Sequence, residues 1–381
     1  MRLSSFILLF CFVSALTAQV EYHEIESSKL EQKRQLKIQL PRNYADNVDK
    51  NYPIIVALDG DYLFEPVAGN VDYNGYWEEM PEAIVIGVVQ DNTREDDTYY
   101  DEETYLPSDK GAAFFEFLGL EMMPWLDANY RTANFRIIVG HDLTANFMNY
   151  YLFKEPSLFQ GYISISPELA PRMGERLVER LSAVKEKIFY YLATSSDDIK
   201  GLRLDIEDLN TQLKTISNEQ VRYNFDNFEG ATHYSLVGRA IPKALEEIFS
   251  IYRPISRKEY KEVISKLPGS PYDYLIDKYA TVEELFGIED KIRVNDFTAV
   301  FTAIKKKKDW ESLEKLGKLA KAHHPDTMLG NFYLAMSLEE KGEPKKAMKT
   351  YQSAFLLEEV GDLTKDLMLD KADKIKQDFG Y

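Results

Sequence analysis

Five continuous apolar runs set the limits on what this chain can fold into. They are Pro53–Leu58 (PIIVAL), Ala83–Val89 (AIVIGVV), Ile137–Val139 (IIV), Gly161–Ser166 (GYISIS) and Lys187–Ala193 (KIFYYLA). A strand with one wet face alternates apolar and polar residues, whereas continuous runs belong to strands covered on both faces, as in a mostly parallel sheet. Helical patterns fall between or after the runs, at Gly111–Asn129, Asn146–Lys154, Arg176–Val184 and Asp205–Ser217. Strand–helix alternation of this kind predicts an α/β fold with helices on both faces of the sheet. Short alternating segments within residues 20–40 predict a pair of edge strands ahead of it.

The character changes after Tyr252-Arg253-Pro254. The rest, residues 254–381, is rich in Lys and Glu, patterned as helix, and has no long β run. It predicts a small all-α domain behind an α/β domain spanning residues 19–253. Within Met328–Glu358, Leu334, Ala335, Leu338, Gly342, Ala347, Tyr351 and Ala354 form a tetratricopeptide-like pattern. Its small residues would let two helices pack closely. A weaker copy lies 34 residues upstream, with Ala320 and Pro325 in corresponding places. A repeat of this type suggests a protein partner for the helical part.

Residues 1–18 read as a secretory signal. Arg2 is the charged start, Phe6–Leu16 the apolar stretch, and Leu16-Thr17-Ala18 the small-residue cleavage site. The expected address is secreted or periplasmic, with no transmembrane segment in the mature chain. The single cysteine, Cys11, lies inside the signal, so the mature chain is expected to lack disulfides, thiol nucleophiles and cysteine metal sites. A net charge of −17 argues against nucleic acid and anionic membranes as partners.

Chemistry concentrates in Phe135–Phe147, FRIIVGHDLTANF. An apolar strand ends at Gly140 and a helical pattern follows, which is the context of a nucleophile elbow, G-x-S-x-G. Here Asp142 occupies the central position and Thr144 the second glycine position. Further pieces occur in order: Ile55–Gly60 (IVALDG), Asn92-Thr93-Arg94 with Asp96-Asp97, Phe114–Leu118 with Tyr130-Arg131-Thr132, Pro156–Tyr162, and Ile165-Ser166-Pro167. Over roughly residues 20–252 the chain resembles the Putative esterase family of α/β-hydrolases, relatives of esterase D, feruloyl esterases and ferric-siderophore esterases.

The resemblance implies an α/β-hydrolase fold and acyl transfer by a Ser–acid–His triad with an oxyanion hole. It places the base at His233, within Phe228–Ser235, and the acid at Asp198, with Asp197 as the fallback. The oxyanion donors would be the N–H of Leu143 and an N–H near Gly60-Asp61. A small ester is the implied ligand, and no cofactor or metal is implied.

The nucleophile position leaves three readings open. Asp142 could itself attack, as the aspartate after Gly-His does in haloalkane dehalogenases and epoxide hydrolases. Against this, β-branched Thr144 should fit poorly in a crowded elbow, and Ala145 also replaces a glycine of the esterase pattern. Alternatively the domain has lost catalysis, with Asp142 ion-paired to His233. In the third reading Ser166 or Ser235 supplies the hydroxyl, though neither sits on an elbow. After Ser166-Pro167, Glu168-Leu169-Ala170-Pro171 replaces the aromatic usual near the family's pocket.

Other candidates read as structural. Asp91–Glu103 carries seven acids without EF-hand spacing and reads as a solvated acidic loop. Lys305–Lys308 reads as a solvated face. His323-His324 is poorly disposed to bind a metal, since adjacent side chains diverge. No phosphate-cradling glycine loop occurs.

Overall fold

The computed structural model describes residues 20–381, so the proposed signal segment and Cys11 lie outside the described residues. Eight strands form one sheet: β1 (Val20–Ser27), β2 (Gln32–Gln39), β3 (Tyr52–Ala57), β4 (Ile84–Val88), β5 (Thr132–His141), β6 (Gly161–Ile165), β7 (Ile188–Asp197) and β8 (Val221–Thr232). Their spatial order is β1-β2-β4-β3-β5-β6-β7-β8. The β1–β2 hairpin joins β4 antiparallel, and β4 through β8 run parallel.

The apolar runs become the central strands for the reason given above. Every residue of β3, β4 and β6 is buried, because helices cover both faces. One face packs Phe114, Phe117, Leu126, Phe147, Leu177 and Leu209 from neighbouring helices. The other packs Phe64, Val67, Ala240, Ile241 and Ile248. β8 lies in a stretch with no continuous apolar run. It pairs only with β7, is half-exposed for most of its length, and carries the polar sequence VRYNFDNFEGAT. An outer strand needs no continuous apolar run.

After β3 the chain crosses to β4 on one side and later returns to β5 on the other. The crevice at such a switch point, beyond the carboxyl ends of the strands, is where open α/β sheets assemble their sites. The ends of β3, β5, β6, β7 and β8 deliver Asp59, Asp142, Ser166, Asp198 and His233 to this one edge.

The C-terminal part is helical, with long helices at Pro271–Phe286, Val294–Lys307, Trp310–His323, Leu329–Glu340, Pro344–Ser353 and Lys365–Phe379. Gly342, at φ 76°, turns the chain between the helices that carry Ala335 and Ala347, both fully buried. The first long helix also reaches into the α/β domain. Phe286 lies 4.9 Å from Phe135 and 5.2 Å from Phe249, ring centre to ring centre. Lys305–Lys308 are all exposed, as the solvated-face reading expects, and the Lys307 ammonium donates to the carbonyls of Leu267 and Gly269. His323 and His324 hold the main chain at Ile292. Among the described residues no helix is long and apolar enough to cross a membrane.

Candidate active site at the sheet edge

Asp142 sits between β5 and the helix Leu143–Phe147 at φ 61°, ψ −118°. A non-glycine residue adopts such angles only where its surroundings over-determine them. The turn is tight at Gly140: a Cβ there would stand 2.6 Å from the Thr144 main chain. Thr144 is fully buried here, and its hydroxyl finds partners, which the expectation of a poorly fitting β-branched residue did not foresee. The Thr144 hydroxyl accepts from the His141 N–H at 3.0 Å and donates to Asp59 Oδ2 at 2.7 Å. It pins the elbow to the end of β3.

His233 and Asp198 come together. His233 Nδ1 lies 2.8 Å from Asp198 Oδ1. A carboxylate only accepts, so Nδ1 carries the proton and Nε2 is left as the basic nitrogen. Asp198 also accepts from the hydroxyls of Ser166 (2.7 Å) and Thr194 (2.9 Å) and from the Ile199 N–H (2.8 Å). Burial pushes this carboxyl up, but the hydrogen bonds from His233, Ser166, Thr194 and Ile199 outweigh it and hold the pKa at about 2. Asp197 lies outside this arrangement, exposed beside Ser196. Ser166 is fully buried at φ 44° and faces Nδ1 and the acid. It stands on the wrong side of the imidazole to be deprotonated, and Ser235 bonds its own turn at Thr232. Neither supplies the hydroxyl of the third reading.

The partner of Asp142 is Arg94, not His233, which corrects the expected ion pair. Asp142 Oδ2 lies 3.3 Å from Arg94 Nη1 and 3.4 Å from Nη2. The guanidinium is anchored by Asp59 Oδ1 at 2.7 Å and the His141 carbonyl at 3.0 Å. Asp59 is fully buried, which pushes its pKa up, while Arg94, Thr144 and Tyr62 act against that. The sequence signal for Arg94 was its place in the Asn-Thr-Arg loop, but the groups it pairs with are distant in the chain.

His141 lies against His233, with ring centres 4.4 Å apart. Its Nδ1 meets the Tyr62 hydroxyl at 3.1 Å, and its Nε2 is buried without a hydrogen bond. Burial, assisted by His233 and Arg94, lowers its pKa to about 4, so it is neutral at pH 7.

The expected oxyanion donors divide. Leu143 opens a helix, where an N–H has no intrahelical acceptor. The Gly60 N–H donates to the Val88 carbonyl at 2.7 Å, so Gly60 is not a donor for a ligand, which is a correction. The Asp61 N–H follows it in the same turn, and the Asp61 carboxylate accepts from the Gln90 N–H. The acidic loop is also not wholly solvated. Asp97 is buried in a two-pronged pair with Arg34, at 2.6 and 2.8 Å.

A profile of the family described as Putative esterase matches residues 27–243. Among curated proteins no sequence matches. The chain is similar to an uncharacterised protein from Capnocytophaga ochracea, whose crystal structure gives a TM-score of 0.85 at 32% identity. That match covers 94% of this chain and 100% of that one. In fold it is similar to an IroE-like serine hydrolase from Shewanella oneidensis (TM-score 0.59, 18% identity, 80% of this chain, 99% of that one). It also resembles the siderophore hydrolase EstA from Aspergillus nidulans (TM-score 0.53, 14% identity, 66% of this chain, 99% of that one).

Proposed function

Because this chain belongs to the Putative esterase family, we propose that it is an esterase-family protein that has lost serine-esterase chemistry and acts by binding. One observation carries the reading: the elbow residue is a carboxylate tied to Arg94. A triad needs a hydroxyl that the imidazole can deprotonate. An aspartate offers His233 no such proton, and Arg94 draws the carboxylate toward β3. The site at the sheet edge then holds a small ester or its acid without turning it over. The helical part, read as tetratricopeptide-like, presents a surface to a protein partner. The N-terminal segment, read as a secretory signal, supports an address outside the cytoplasm, in the periplasm or beyond.

A second reading has its own support. His233, Asp198, Ser166 and Thr194 keep a complete hydrogen-bonded set behind the base. Such a set would serve an enzyme in which Asp142 attacks carbon and His233 activates the water that hydrolyses the resulting ester.

Short-chain nitrophenyl esters and haloalkanes separate the two. The binding reading expects no turnover above background from the natural chain, and new esterase activity in Asp142→Ser that disappears in Asp142→Ser/His233→Ala. Turnover by the natural chain that is lost in both Asp142→Ala and His233→Ala establishes the aspartate enzyme instead.

A further inference from the structure

A cleft opens at the amino-terminal end of β5, opposite the sheet-edge site. Its volume is about 540 Å³, within the ~300–1,000 Å³ usual for small-molecule sites. Arg136 at its edge is five residues before His141 on the same strand, about 16 Å away at ~3.3 Å per residue. It is therefore separate from the sheet-edge site.

Three features give this cleft a chemistry. First, the helix running from Asp109 to Asn129 widens into a π-helical turn at Phe117–Met122. Such turns are uncommon and frequently mark functional sites. Gly119, in this turn, leaves space: a Cβ there would only reach ordinary contact, 3.7 Å from Leu158 and 3.9 Å from Tyr151. Second, the walls are apolar. Phe115 stacks on Tyr151 at 4.2 Å, and Leu158 and the exposed Leu120 flank them. Third, the uncompensated charge at the rim is positive. Lys154 holds its ammonium 5.1 Å over the Phe115 ring, without an ion pair among the described residues. Arg136 gives Nη2 to Asp127 at 2.7 Å, but its Nε is buried with no acceptor. The one carboxylate on the rim, Glu116, is paired with Lys29 at 2.7 Å.

An apolar slot ending in an ammonium without an ion pair suits an amphipathic anion. We propose that this cleft binds an aliphatic monocarboxylate of medium chain length. The tail lies against Leu120 and Leu158 and the edge of Phe115, and the carboxylate accepts from Lys154 Nζ at the rim.

The test is calorimetric titration of the full chain with octanoate, decanoate and dodecanoate below their micelle concentrations, with decanol as the uncharged control. Binding should saturate at one site. Affinity should rise about fourfold per added methylene. Decanol should bind about tenfold more weakly than decanoate, because it lacks the charged head. Lys154→Ala should bring decanoate down to the level of decanol. Gly119→Leu should fill the floor and abolish binding. Should that variant fail to fold, Leu120→Glu, at an exposed position, sets a carboxylate at the mouth and should weaken decanoate at least as much. Absence of saturable binding, equal affinity for decanol, or decanoate binding unchanged in Lys154→Ala and Leu120→Glu overturns the proposal. So does self-association that Leu120→Glu abolishes in a chain that does not bind decanoate, since the cleft is then a contact between copies.

Discussion

Replacing Asp198 by Asn gives the most direct reading of how firmly the His233 side of the site is built. The side chain is fully buried and accepts four hydrogen bonds, from His233, Ser166, Thr194 and Ile199. Together these lower its pKa from an ordinary 3.8 to about 2. At 1.36 kcal/mol per unit, that difference corresponds to about 2 kcal/mol of stability. The direction follows from the depressed value. The unfolded chain holds its proton more tightly, so the contribution is complete above pH ~4–5 and is lost as pH falls through 4 toward about 2. Asn keeps the shape but not the charge. Its NH₂ can face Ser166 and Thr194, whose hydroxyls can turn to accept, so the loss should be mainly electrostatic. Urea denaturation of both proteins should show the variant less stable by about 2 kcal/mol at pH 7, with the gap narrowing steadily between pH 4 and pH 3. A gap of the same size at pH 3 and pH 7 would refute the charge argument. A gap below about 0.5 kcal/mol at pH 7 would refute the whole network.

Other perturbations probe the elbow and the domain contact. Thr144→Val leaves the His141 N–H and Asp59 Oδ2 without the hydroxyl that joins them. It should cost about 1–3 kcal/mol in urea titration. Arg94→Ala strands the buried Asp59 carboxylate, and equilibrium unfolding should show a loss of about 3–5 kcal/mol. Gly140→Ala drives a methyl into the Thr144 main chain and should lower stability by about 1–3 kcal/mol, seen as a lower Tm. Phe286→Ala empties a place between Phe135, Phe189 and Phe249, and should cost about 3–5 kcal/mol. Tyrosine fluorescence and far-UV circular dichroism should then report the destabilisation of the sheet domain, because that helix completes its core.

The central sheet was legible in the sequence because strands buried on both faces must be apolar throughout, and Ile54–Ala57, Ile84–Val88 and Gly161–Ile165 satisfy that without ambiguity. β8 was not, because a strand bonded on one side only tolerates Asn224, Asp226 and Asn227. His233 was still found, since it follows that strand in the order the resemblance implies. The ion pairs could not be read. Arg94 lies 35 residues from Asp59 and 48 from Asp142 in the chain. Only the neighbouring positions of β3 and β5 bring those carboxylates to one guanidinium. For the same reason Thr144 looked like a misfit in the motif, although Asp59 gives its hydroxyl a partner.

The charges around the elbow bear on whether a serine could return. Arg34 and Asp97 form one closed pair, and Arg94 and Asp59 a second. Gln90 links them, taking the Asp59 N–H on its carbonyl oxygen and donating its amide to Asp97. Each pair balances its own charge, and the Asp61 carboxylate on the Gln90 N–H already adds one negative charge. The elbow carboxylate adds another and makes Arg94 serve two acids at once. Its contact with Arg94, at 3.3 Å and partly exposed, is the looser of the two. A pair of that kind contributes roughly 0–1 kcal/mol. Asp142→Ser should thus change stability by no more than about 1 kcal/mol, while the same residue removed from Arg94 leaves the Asp59 bond intact. If Asp142→Ser unfolds the domain, the carboxylate is structural, and the scaffold has been rebuilt around it. If the variant is as stable as the natural chain yet gains no esterase activity, the defect lies beyond the nucleophile, at the oxyanion donors where Gly60 is already committed to Val88.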